Sequence, residues 1–268
     1  MATSMSIETL YSLLGLPEAP SVLDVREEDD FGAQPRMIPG AMRVPRDQLQ
    51  ATRATLPRRR RIVVHCVKGG SVSRDAADQL VAAGYPAFYL EGGLSAWLES
   101  GHATIRVRRE FNVPGGSRWV TRERPKIDRL ACPWLVRRFI DPQASFYYTA
   151  AHRVRAQAEA LEAEPYDIAD VTFSHRGPRC SFDAFLDEFE LHDPILDQLA
   201  GVVRAADTAT LEQSREAAGL LAISLGLSAN IPDDLVLLEQ AMPVYDALYA
   251  WCKKARGETH SWPMQPRA

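Results

Sequence analysis

The sequence predicts two parts of different fold class. The first is an α/β part with a parallel sheet flanked by helices; the second is mainly α-helical with a few short strands. Three observations predict this. Short β-branched runs alternate with helical stretches as far as Gly101, the pattern of a parallel sheet. Pro114-Gly115-Gly116 then punctuates the chain directly before a new apolar pattern. From Ser181 onward the apolar residues recur at helical spacing. The parts are expected at 1–104 and 118–268, joined by a linker over 105–117.

In chain order, a helix from about Ser6 to Leu14 comes first, with no basic segment ahead of it that would suggest a secretion signal. Ser21 to Arg26 reads as a short buried strand, and the acidic stretch Glu27 to Asp30 as a loop. Ile38-Pro39-Gly40-Ala41 is turn chemistry, and Met42 to Pro45 an extended piece. Arg61 to His65 is a β-branched, buried strand. Val72, Ala76, Leu80 and Ala83 then mark a helix that Gly84 stops. Ala87 to Leu90 is a strand, Glu91-Gly92-Gly93 a tight turn, and Leu94 to Ser100 a helix carrying Trp97 and Leu98.

In the second part, a helix ending near Phe139 starts either at Asp128, acting as its cap, or near Cys132 with Pro133 in the first turn. Ser145 to Tyr148 reads as a strand, and Val154 to Leu161 as a helix with a thin apolar stripe. Ser181 caps a helix over Phe182 to Phe189, and further helices cover Ile195 to Ala206, Leu211 to Leu225 and Leu235 to Ala255. The last places Leu235, Leu238, Met242, Tyr245, Leu248, Tyr249 and Cys252 on one face.

Composition narrows the function classes. With 46% hydrophobic and 25% charged residues, the chain is that of an ordinary soluble protein, and no stretch is long and apolar enough for a membrane span. Four cysteines in 268 residues are too sparse for a disulfide scaffold, which points to a reducing cytoplasm. A net charge of −4 makes no electrostatic case for nucleic acid or anionic membrane, and Arg58 to Arg61 reads as a solvated loop.

The chemistry centres on Cys66-Val67-Lys68-Gly69-Gly70-Ser71-Val72, which joins a buried strand to a helix. Such a loop can turn backbone N–H groups inward, and the helix N-terminus adds partial positive charge. A thiol there has its thiolate favoured, and Lys68 adds a cation. His65-Cys66 also begins the His-Cys-x5-Arg pattern of cysteine phosphatases, but position 72 is valine and the nearest arginine is Arg74. The phosphoryl clamp is therefore missing.

Four stretches carry a resemblance: LDVRE from Leu23, IPGAMRVP from Ile38, VVHCVKGGSVS from Val63 and YLEGGLSAWLESG from Tyr89. Together they resemble a single rhodanese (sulfurtransferase) domain. The resemblance implies that Cys66 accepts a sulfane sulfur as a persulfide, that Val67 to Val72 cradle it, and that Asp24 and Arg26 form a structural Asp-x-Arg pair. It also implies a small-molecule sulfur donor, a thiol or cyanide acceptor, and no cofactor for the transfer. Met37 stands where the family usually has histidine, and Ser71 where many members have arginine.

The second part is similar to the chromate-resistance protein family through WVTRERPKIDRLACPWLVRRFIDP, FSHRGPRCSFDAFL, AAGLLAISLGL, VYDALYAWC and GETHSWP. That resemblance implies a link to chromate or oxidative stress, with iron-dependent superoxide chemistry and chromate-responsive regulation both open. Candidate site residues are Asp128, Arg129, Cys132, Arg138, His175, Arg179 and Cys180. His175, Cys180, His192 and His260 are the candidate ligands for iron or another transition metal, with Asp128, Asp183, Asp193, Asp207 and Asp246 as carboxylates. Alternatively Arg129, Arg138, His175 and Arg179 form a pocket for chromate or another oxyanion. A third reading is a network of polar groups that braces the helices. The expectation for the whole chain is a sulfurtransferase coupled to chromate or oxidative-stress resistance; the alternatives are a chromate-responsive regulator and a metal-dependent redox protein.

Overall fold

Residues 1–111 and 115–258 are described by the computed structural model. The first part runs β1 (Thr3–Met5), α1 (Ile7–Leu13), β2 (Ser21–Asp24), α2 (Glu28–Ala33), β3 (Arg36–Met37), β4 (Ala41–Arg43), α3 (Leu49–Thr52), β5 (Ile62–His65), α4 (Ser71–Ala82), β6 (Ala87–Leu90), α5 (Gly93–Glu99) and β7 (Ile105–Arg106). Five of its strands form a parallel sheet in the order β1-β6-β5-β2-β4. All four residues of β5 are buried, as a central strand covered on both faces must be. Val22 and Val63 pack into one apolar cluster, while Leu23, Val64 and Cys66 pack into another on the opposite face.

The second part continues with β8 (Arg118–Arg122), α6 (Asp128–Leu135), β9 (Ser145–Thr149), α7 (Val154–Leu161), β10 (Glu164–Pro165), α8 (Ser181–Glu188), α9 (Pro194–Asp207), α10 (Ala217–Asn230) and α11 (Asp234–Ala250). Its helices dominate, and β10-β8-β9 form only a small parallel sheet. No helix among the described residues is long and apolar enough to cross a membrane.

The two parts share one apolar core. Leu10, Leu14 and Trp97 of the first belong to the same cluster as Phe139, Leu196 and Tyr249 of the second. Polar contacts lock the seam. Gly40 N–H donates to Phe139 O at 2.6 Å, and Lys253 Nζ donates to Tyr11 O at 2.7 Å and Leu14 O at 3.0 Å. Residues 105–106, expected in a linker, form β7 and pair antiparallel with β3.

Several expected elements differ, each for a local reason. Glu27 to Asp30 is not a loop: Glu28–Ala33 is helical, and Phe31 is buried beneath the guanidinium groups of Arg26 (4.8 Å) and Arg43 (4.5 Å). The helix expected from Leu211 begins only at Ala217, because Ser214 is extended (φ −148°) after a short 3-10 turn. Leu235 is 53% exposed, whereas Leu237, Leu238, Ala241, Met242, Tyr245 and Tyr249 carry the buried face of α11. In α6, Pro133 lies in the helix interior and has no N–H for the Arg129 carbonyl. Tyr166 OH donates to that carbonyl instead, at 3.1 Å.

Candidate functional site

Cys66 follows β5 at the carboxyl edge of the parallel sheet, and α4 starts five residues later. Two glycines interlock the Cys66 loop with the turn after β6. Gly69 has φ +65°, and a Cβ on it would lie 2.5 Å from Leu90 O; Gly93 has φ +61°, and a Cβ on it would lie 2.5 Å from Cys66 O and from Gly69 N. Through this close approach, Leu94 N–H donates to Cys66 O and Ser95 N–H to Val67 O, both at 2.9 Å. The N-terminus of α5 thus claims the loop carbonyls. Among the described residues, the N–H groups of Val67, Lys68, Gly69 and Gly70 have no protein acceptor.

Cys66 is buried, and its Sγ lies 3.2 Å from Ser73 Oγ. Lys68 is exposed at the rim. Arg74 does not act as a clamp over the loop: its Nε donates to Gly69 O at 3.2 Å and its guanidinium lies over the Tyr89 ring. Beneath, Arg26 Nε and Nη2 grip both oxygens of Asp24 at 2.6–3.0 Å, and Arg26 also donates to Gln34 O and Arg36 O. Burial acts upward on the Asp24 carboxyl, but the charge of the neighbouring His65, followed by the Arg26 hydrogen bonds and charge, holds it below the usual carboxylate range. His65 is buried with both ring nitrogens unpartnered, and burial pushes its pKa down. As the strand neighbour of Cys66 it points to the opposite face.

A second cluster forms in the helical part. Asp128 opens α6, Asp207 closes α9, Asp167 follows β10, and His175 precedes α8. His175 Nε2 lies 3.1 Å from Asp128 Oδ2, 3.1 Å from Asp207 Oδ2 and 3.4 Å from Asp167 Oδ1. Asp128 Oδ2 also accepts the N–H of Ser181 at 3.2 Å, and Asp167 accepts from Arg122 Nη2 at 2.6 Å and from Ser181 Oγ at 2.9 Å. Ile127 aims Asp128 into the cluster with a strained backbone (φ 39°), which is held by Ser224 Oγ at its N–H and Tyr245 OH at its carbonyl. The hydrogen bond to Asp128 raises the His175 pKa to about 9; burial, then the Asp128 charge, raise that of Asp207 to about 7. Asp128, His175 and Asp207 offer donor atoms close enough together to coordinate a metal ion.

Family comparison matches residues 119–252 to "ChrB, C-terminal domain" and residues 6–100 to "Rhodanese-like domain". The chain is a rhodanese-like domain fused to a ChrB C-terminal domain. It belongs to the ChrB C-terminal family, whose model matches half of it. Protein ChrB of Cupriavidus metallidurans is 36% identical over 143 residues, covering 53% of this chain and 43% of that protein. The chain therefore spans less than half the length of this curated relative. Solved structures similar to the rhodanese-like domain include a rhodanese-related protein from Thermoplasma volcanium, with 27% identity, TM-score 0.34, and coverage of 38% of this chain and 96% of that one. Another is a thiosulfate sulfurtransferase from Pseudomonas aeruginosa, with 33% identity, TM-score 0.36, and coverage of 41% and 20%. The match of residues 6–100 to the rhodanese-like model supports a general sulfurtransferase-type function for that domain.

In the rhodanese-like domain the structure brings Cys66, Val67, Lys68, Gly69 and Gly70 into one loop, with Ser71 and Val72 starting α4. In the ChrB domain the structure brings the expected Asp128 and His175 together, at 3.1 Å. Arg129, Arg138 and Arg179 do not form an oxyanion pocket with His175, because each is committed to a carboxylate: Asp167, Asp246 and Asp187 respectively. His175 itself contacts three carboxylates, Asp128, Asp167 and Asp207, a poor setting for an anion. Cys132 and Cys180 are buried, and burial followed by the Asp128 charge pushes both thiols up, so neither is an activated thiol. Cys180 instead precedes α8, where the expected cap was Ser181, and its N–H donates to Asp183 Oδ2 at 3.0 Å. Of the expected metal ligands His175 joins the cluster, together with Asp128 and Asp207 from the expected carboxylates; Cys180 is not part of it, His192 is exposed before α9, and His260 lies outside the described residues. Asp167, Ser73 and Gly93 escaped the sequence reading. Of these, only Gly93 left a signal, as the second glycine of a turn.

Proposed function

We propose that the rhodanese-like domain is a sulfurtransferase that works through a persulfide on Cys66. One observation supports this reading: the Cys66 thiol sits in a loop whose Cys66 and Val67 carbonyls are held by α5, while among the described residues the N–H groups of Val67 to Gly70 have no protein acceptor. The Cys66 thiolate attacks the sulfane sulfur of a donor such as thiosulfate; the new S–S bond forms as the sulfur–sulfonate bond breaks, and sulfite departs with the electron pair. The negative charge on the outer sulfur is met by the N–H groups of Val67 to Gly70 and by Lys68. An acceptor thiolate or cyanide then attacks that outer sulfur, and the bonding pair returns to Cys66 Sγ. The test is thiocyanate formation from thiosulfate and cyanide. Turnover that vanishes in Cys66→Ser supports the reading, and undiminished turnover in that variant overturns it.

A second reading concerns the ChrB domain: the Asp128–His175–Asp207 cluster holds a divalent first-row metal ion. Three carboxylate oxygens converge on one imidazole nitrogen, which carries at most one hydrogen. Donors on an ion with bonds of about 2.1 Å stand about 3.0–3.4 Å apart, and His175 Nε2 lies 3.1 Å from both the Asp128 and the Asp207 oxygens. One imidazole with carboxylates suits iron, manganese or zinc better than copper(I). When bound, the ion would supply Lewis-acid or redox chemistry; Ser181 N–H and the Arg122–Asp167 pair would hold the carboxylates in place. Elemental analysis of untagged protein tests this. Stoichiometric metal lost in His175→Ala supports the reading; metal-free protein that takes up no manganese or iron rejects it.

A further inference from the structure

Among the described residues, Ser73 is the one polar side chain hydrogen-bonded to the sulfur of Cys66. It lies in the first turn of α4, wholly buried on the face that packs against the sheet together with Ala76, Ala77 and Leu80. A hydroxyl there needs a partner, and its Oγ has two: Cys66 Sγ at 3.2 Å and Gly70 O at 3.3 Å. Gly70 O already accepts the N–H of Arg74 at 3.1 Å, the first bond of the helix. That carbonyl therefore does not depend on Ser73.

We infer that Ser73 stabilises the Cys66 thiolate, both before attack on the donor and when the persulfide gives up its outer sulfur; the second role rests on the sulfur-transfer reading above. A hydroxyl has one hydrogen and can point it either way. With Cys66 as a thiol, S–H donates to Ser73 Oγ and Ser73 O–H donates to Gly70 O. With Cys66 as a thiolate, the hydroxyl turns and donates to Sγ, while Gly70 O keeps the Arg74 N–H. The turn therefore strands no polar group. In the discharge step the acceptor–sulfur bond forms, the Sγ–S bond breaks, and the pair settles on Sγ, so the Ser73 hydrogen bond strengthens as the bond breaks. An interaction that grows along the reaction lowers the barrier rather than merely tightening binding. The loop N–H groups hold the outer sulfur; Ser73 holds the inner one.

Ser73→Ala deletes a single oxygen, and its fold is checked by its melting curve. A hydrogen bond to a charged group that is absent from the neutral state is worth about tenfold or more in rate. Persulfide-loaded Ser73→Ala therefore discharges to cyanide about tenfold more slowly in a single turnover, with the cyanide concentration at half-maximal rate little changed. In the sulfur-free protein, the pH profile for alkylation of Cys66 by iodoacetamide moves upward. Ser73→Thr, which keeps the hydroxyl, restores both; if its methyl group prevents folding, the two alanine measurements decide alone. Wild-type discharge together with an unmoved alkylation profile in Ser73→Ala overturns the inference. If the wild-type protein forms no persulfide, the sulfur-transfer reading fails, and the alkylation profile still decides the Ser73–Cys66 contact.

Discussion

Gly93→Ala tests how the Cys66 loop is held and what that does for the proposed sulfur transfer. The new Cβ would sit 2.5 Å from Cys66 O and 2.8 Å from Val67 O, where an ordinary contact begins at 3.4 Å. The loop must therefore move by about 0.9 Å. Alanine in the left-handed region costs about 1–2 kcal/mol. Weakening the Leu94 and Ser95 hydrogen bonds adds about 1 kcal/mol each, so the total is about 3–4 kcal/mol. At about 2–4 °C per kcal/mol, the melting temperature falls by roughly 6–16 °C and the protein remains folded. A displacement near 1 Å at a reacting group costs on the order of a hundredfold in rate, so kcat/KM for thiocyanate formation drops by about that factor. Gly101→Ala is the matched control: it has the same left-handed strain (φ +73°) with nothing within 4 Å of the added Cβ. That variant loses only about 1–2 kcal/mol and keeps its activity. Full activity in Gly93→Ala, or an equal loss in Gly101→Ala, would refute the interlocked-loop account.

Three further predictions follow from the same geometry. In folded protein, iodoacetamide labels Cys66 well ahead of Cys132, Cys180 and Cys252, since burial raises the last three thiols; equal labelling in a peptide-mapping time course would contradict this. Arg26→Ala leaves Asp24 buried and unpaired, costing about 3–5 kcal/mol in urea unfolding. Because the Asp24 carboxyl is depressed in the fold, the stability it contributes is present above the unfolded carboxylate pKa and lost as pH falls through the lower folded value. At the ChrB cluster the signs reverse. His175 is raised to about 9 and Asp207 to about 7, so their stabilisation is full below their unfolded pKa values and lost as pH rises through the folded ones. Metal binding must displace these protons, so manganese affinity by calorimetry rises steeply between about pH 7 and 9; a flat affinity across that window would contradict the site.

The rhodanese-like sheet was legible because its signals are local. Ile62 to His65 read as a buried strand, and Gly69-Gly70 ahead of a helix marked the loop. Elements decided by distant contacts were not legible. Glu28–Ala33 carries a loop-like acidic run, yet Arg26 and Arg43 stacked on Phe31 give that segment a buried anchor. In the ChrB domain, Asp128, Asp167, His175 and Asp207 converge from four separate segments, and no spacing along the chain announces them. The arginines there suggested an anion site because a sequence shows charges without their partners. Asp167, Asp187 and Asp246 supply those partners. Ser73 was invisible for a simpler reason: its neighbour Cys66 lies across the loop, reached only once α4 folds back on β5.

The central claim is that sulfur rides on Cys66. Its most direct measurement is mass analysis of the Cys66 peptide after incubation with thiosulfate and again after cyanide. The account predicts that this peptide alone gains one sulfur atom, that cyanide removes it as thiocyanate, and that Cys66→Ser does neither. An unmodified Cys66 peptide in protein that still transfers sulfur would contradict it.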